Sequence, residues 1–319
     1  MESAFLTGSV TKLYALLNAL LNGLRRLWRW LLVFLGVSKK STPVMNPPEL
    51  THILKFERAR KHLDELNVAF DEWLKGHLHP TTLDPDPEDS THLFVKSGID
   101  PIPVDPFSLI LGDVVQNLRS GLDHLAYSLA ISHSHPLSDE IARKTQFPII
   151  GDETSKGVRG AGPGMFRDNT TQMLQAISPK AQTVIEGLQP YQRGGNFRSH
   201  PLWKLNELSN MDKHRMLHLT AWNFAGLAFP ADVLVPQNQR REGGKLEVFA
   251  LGAVEGEAVF ARVPRGLLVP NPEMQMNISP TFQVAFKDGF LIGEDVVEIL
   301  SDIFDYMGTD VVTSLHPFL

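Results

Sequence analysis

The chain has no cysteine among its 319 residues. Disulfides, thiolate zinc sites and cysteine nucleophiles are therefore excluded at once, and any metal would have to sit on His, Asp or Glu. A reducing cytoplasm fits that composition. Tyrosine is scarce too, at four residues. No apolar run reaches the roughly 20 residues a spanning helix needs, because Arg25, Arg26 and Arg29 interrupt the one long apolar stretch. No serine sits in a Gly-x-Ser-x-Gly elbow, and there is no dinucleotide or Walker fingerprint, so no cofactor is implied.

What is present divides unevenly. Residues 1–44 carry Lys12, Arg25, Arg26, Arg29, Lys39 and Lys40 against Glu2, so an extension of +5 on a chain of −6 leaves −11 for the rest. An acidic body repels nucleic acid at long range, and an RNA contact would need a local basic groove. Leucines 13, 17, 20, 24, 27 and 31 with Phe34 recur at helical spacing, with Trp28 and Trp30 beside the arginines. This pattern predicts a basic amphipathic helix. Through residues 10–37 it would touch an anionic membrane surface or a partner protein peripherally. A Lys-Lys-Ser-Thr-Pro-Val linker then leads to Met45, which could itself be the native start.

The spacing predicts one α+β domain over 45–319: a helical bundle with an antiparallel β-sheet inserted late and a helix at the C-terminus. Helices are expected at 50–76, 107–131, 169–188 with a break at Pro179, 202–217 and 294–307. Strand character appears at 91–96, then at 246–251, 258–263 and 281–286. Gly157 to Gly164 reads as a surface loop without the strand–glycine–helix context that cradles phosphate.

The 107–131 helix carries the most information. Leu111, Val115, Leu118, Leu122, Leu125 and Leu129 form one apolar stripe. At about 100° per residue, Asp113, Asn117 and His124 fall within about 40° of one another on the opposite face, and Arg119 and Asp123 stack at i, i+4. Gly121 in mid-helix costs about 1 kcal/mol relative to alanine, which suggests that a backbone or substrate approaches there. A second constellation sets Asp212, His214 and Arg215 at the end of the 202–217 helix, with Asp212 and Arg215 on its apolar face. A buried carboxylate and guanidinium must pair or serve a site. They would pair structurally, bridging to Asn117 or His124, or line a pocket with His124. His77 with His79, His133 with His135, and His214 with His218 read as solvated histidines rather than metal ligands.

The string Arg119-Ser-Gly-Leu-Asp-His124 resembles the Arg-x4–6-His signature of the HEPN superfamily, helical proteins that include metal-independent ribonucleases of bacterial toxin and defence systems. Its flanks, with a later Leu-Trp-Lys-Leu-Asn-Glu-Leu-Ser-Asn-Met-Asp-Lys-His-Arg, also look like a group of uncharacterised bacterial proteins. The resemblance implies that His124 exchanges a proton with a ribose 2′-hydroxyl while Arg119 holds the phosphate, in a site completed across a homodimer. This chain has Ser120 where the superfamily often places Asn, Asp or His. Two readings follow: an RNA-cleaving or RNA-binding protein, or a non-catalytic binding or scaffold protein whose polar residues tie helices together.

Overall fold

A computed structural model describes residues 47–151, 163–228, 247–249, 252–267 and 279–319. The predicted helix within residues 10–37, the Met45 start and most of the 157–164 loop lie outside the described residues. Seven helices carry labels here: α1 Pro47–His77, α2 Val104–His133, α3 Asp139–Lys144, α4 Pro163–Leu174, α5 Pro179–Gly187, α6 Pro201–Asp212 and α7 Val296–Tyr306. Seven strands accompany them: β1 Thr82–Pro85, β2 His92–Ile99, β3 Leu219–Ala228, β4 Glu247–Val248, β5 Gly252–Val254, β6 Gly256–Pro264 and β7 Ser279–Phe286. The architecture is α+β.

The chain divides into two compact units. One comprises residues up to Leu54, Ser120–Lys204 and Asp302–Leu319; the other comprises Lys55–Arg119 and Leu205–Ser301. Among the described residues, the first unit is helical. Its core gathers Leu122, Leu125 and Leu129 of α2 with Phe147, Phe166 of α4, Ile185 of α5 and Ile303 of α7, all nearly solvent-free. Ser178 begins α5 by accepting a hydrogen bond from the Ala181 amide, with Pro179 in the first helical position, where its missing N–H costs nothing.

The second unit holds both sheets. The first has the order β1-β2-β6-β4 and the other β5-β3-β7, with every pairing antiparallel. The sheet is therefore not built only from late strands: the early β1–β2 hairpin lies against β6, with Val95 opposite Ala261. Besides the strands, the second unit has buried helical residues. Phe56, Leu63, Leu66, Phe70 and Trp73 of α1 are buried at three/four spacing, and Phe70 meets Phe107 edge-on at 4.9 Å. Arg262 on β6 clamps the β1–β2 turn, with Nε 2.6 Å from Asp86 and Nη2 2.9 Å from Asp89.

One expectation is corrected. The predicted 202–217 helix stops at Asp212; Leu219 begins β3, and Arg215 lies exposed in the turn between them. The physical reason is the change to alternating burial at Leu217, His218 and Leu219, buried, exposed and buried, which is a strand period. Within the predicted 246–251 strand, the described residues form β4 at Glu247–Val248, and residues 246, 250 and 251 lie outside the described residues.

Candidate functional site

The α2 stripe is fully buried: Leu111, Val115, Leu118, Leu122, Leu125 and Leu129 are each at most 1% exposed. Its other side distributes the candidate residues among separate tasks. Asp113 is exposed and its backbone carbonyl accepts from Asn117 Nδ2 at 2.8 Å, so the asparagine is occupied by its own helix. Gln116, which the sequence does not single out, donates from Nε2 to Asp212 Oδ2 at 3.0 Å. Asp212 Oδ1 sits so close to Gly112 that a β-carbon there would come within 2.6 Å of it. The structure thus documents a close approach to α2 at Gly112. A glycine is needed there for space, not for conformational freedom.

Arg119 is half-buried, with Nη1 shut off from solvent. Asp123 is half-buried as well, and its Oδ1 accepts the Phe147 backbone N–H at 3.0 Å, fixing the chain just after α3. Removing that acceptor strands a buried amide, which costs about 1–3 kcal/mol. Asp123→Ala should therefore lower the free energy of urea unfolding by about 2 kcal/mol, and an unchanged midpoint would show the contact to be idle.

His124 is half-buried. Its Nδ1 lies 3.0 Å from Thr51 Oγ1, and its carbonyl accepts from Ser128 Oγ at 3.0 Å. Such a contact fixes the ring and makes Nε2 its remaining polar atom. Beside it lies His52, only 1% exposed, which burial chiefly, and then His124 and His316, push down to about 4. Three histidines from three chain segments therefore share one region of the first unit. His52 and His316 carry no motif that would have disclosed this, since they are brought in from the start of α1 and the C-terminal segment.

The second constellation does not assemble as expected. Asp212 is occupied by Gln116 rather than by Asn117 or His124. His214 is exposed. Arg215 points outward, with Nη1 3.7 Å from Asp288 Oδ2, and His218 Nδ1 reaches the same oxygen at 3.0 Å. Asp288 was not legible as a partner because it lies 70 residues from His218. Of the histidine pairs, His77 Nδ1 contacts the Trp73 carbonyl at 2.8 Å and His79 Nε2 contacts Asp100 at 2.9 Å. Among the described residues no helix is long and apolar enough to cross a membrane.

Comparison with protein-family models, with curated proteins and with solved structures finds no match to this chain.

Proposed function

We propose that this chain is a non-catalytic binding or scaffold protein in which the polar residues of α2 organise the fold. The observation that carries this reading is the engagement of two of the three candidate carboxylates, Asp123 and Asp212, while the third, Asp113, faces outward. Asp123 holds the Phe147 amide, and Asp212 takes the Gln116 amide beside Gly112. Carboxylates that accept N–H groups of their own fold contribute to uniqueness of structure and have less capacity left for substrate. Residues 10–37 would supply such a scaffold with a peripheral membrane or partner-protein contact. Flotation of the full chain on anionic vesicles, with Arg25, Arg26 and Arg29 changed to Glu in a parallel sample, tests that contact; equal flotation would remove it.

A second reading is favoured by one feature, the half-buried His124 ring held through Nδ1 by Thr51. In a HEPN-like ribonuclease of bacterial defence type, His124 would exchange a proton with the ribose 2′-hydroxyl through Nε2. Arg119 would counter the phosphate charge, probed best in a homodimer. Incubating the full chain and its His124→Ala variant with mixed RNA in chelator separates the two readings. Both proteins should be inert. Cleavage by the native chain that His124→Ala reduces by 10²-fold or more, the size of a lost general base, would overturn the scaffold reading.

A further inference from the structure

His200 stands at the entry to α6 in the first unit. It has the backbone of a helix N-cap: φ −76° and ψ 131°, with its carbonyl accepting from the Lys204 amide at 3.1 Å. Serine, threonine, aspartate and asparagine ordinarily cap with a side-chain oxygen. Here the imidazole does it, with Nδ1 accepting from the Leu202 amide at 3.1 Å. A neutral imidazole has one acceptor nitrogen and a protonated one has none. The cap therefore exists only while Nδ1 carries no proton.

The surroundings hold the ring in place. His200 is 4% exposed, and Tyr306 packs edge-on against it at 4.8 Å with its hydroxyl directed to the Leu188 carbonyl at 3.4 Å. Arg193, on the Pro190–Ser199 turn, is tied through Nη1 to the Ser199 carbonyl at 3.3 Å and brings a positive charge that acts on the ring. Burial chiefly, and then Arg193, push His200 down to about 4. Tyr306 is pushed up to about 12 by burial and then by Asp310, against the opposing pull of Arg193, so it stays a neutral phenol throughout the range of interest.

We propose that His200 is a proton-operated latch on the first turn of α6, closed when its imidazole is neutral and released when a solvent proton occupies Nδ1. On protonation the Leu202 N–H loses its acceptor and faces a second N–H. The imidazolium also adds a positive charge at the positive end of the helix dipole, so the turn opens.

Amide hydrogen exchange of Leu202 in the full chain, corrected for its intrinsic pH dependence, reads the latch directly. Between pH 7 and pH 4 it should accelerate about threefold, because about half the rings are protonated at pH 4 and loss of a typical N-cap implies a factor of about five. His200→Asn supplies a cap that does not titrate there, and should abolish the acceleration. Arg193→Gln removes the repelling cation and should move the midpoint to higher pH, whereas Arg193→Lys should leave it in place. A flat native profile, an equal rise in His200→Asn, or an unmoved midpoint in Arg193→Gln would each overturn the proposal. The Arg193 pair keeps the test decisive should His200→Asn fail to fold.

Discussion

Gly98→Ala is expected to destabilise the chain by about 3 kcal/mol or more, enough to leave much of it unfolded or insoluble, since overpacking of a closed site costs typically 1–3 kcal/mol and occasionally more. Gly98 lies near the end of β2, paired with Glu257 of β6, and its carbonyl accepts the His79 amide at 2.9 Å. A β-carbon there would collide with the Gly256 carbonyl oxygen and come within 2.8 Å of its carbon and of His79 Nδ1. The histidine ring could swing aside. The Gly256 carbonyl is backbone, and Gly256 is held at φ +78° at the start of β6, where a side chain would itself be strained. Relief would require the two strands to separate at the end of their ladder. Gly76→Ala provides the contrast. Gly76 lies within α1 with nothing within 4 Å of the added carbon, so that change should stabilise by up to about 1 kcal/mol. Thermal or urea unfolding of the two variants beside the native chain checks both signs, and a Gly98→Ala midpoint within experimental error of native would show that the strands can part freely.

The contrast between these glycines shows which parts of the molecule the sequence could disclose. The buried faces of α1 and α2 repeat every three or four residues, so the stripe from Leu111 to Leu129 could be read without any partner in view. Strand pairing obeys no such local rule. The early hairpin has strand character, but its place beside β6 depends on residues more than 160 positions away, as in the Arg262 contacts with Asp86 and Asp89. The end of α6 is not legible because Asp212-Lys-His-Arg contains no glycine or proline stop, and the shift to an alternating period shows only in the burial of Leu217 and Leu219. The candidate site divides the same way. Residue types and faces on α2 were legible; the partners Thr51 of His124 and Phe147 of Asp123 were not, nor was Gln116 as the partner of Asp212, since each is fixed by packing between segments or by a competing side chain. At Gly112, close to the helix start, composition alone gives no hint that a carboxylate of α6 comes so near.

His52 carries the second large effect, an acid lability of the first unit. In the folded chain it titrates at about 4, against 6.5 for an unperturbed histidine, chiefly because burial penalises the imidazolium, with His124 and His316 adding repulsion. The unfolded chain therefore takes up the proton more readily than the folded one. Stability is fully present above pH 6.5, declines as pH falls from there toward 4, and levels off below, where both states are protonated. At 1.36 kcal/mol for each unit of difference, the loss reaches about 3 kcal/mol. That is a large part of the 5–15 kcal/mol by which domains are ordinarily stable. In His52→Gln the titrating group is gone while a polar side chain remains, and other ionisable groups contribute alike to both proteins. Urea unfolding at pH 7, 5.5 and 4 should show the native chain losing about 3 kcal/mol more than His52→Gln across that interval. Parallel decline of the two would place the acid sensitivity elsewhere. A smaller gap that persists unchanged at pH 7 would show His52 acting through its packing rather than through its proton.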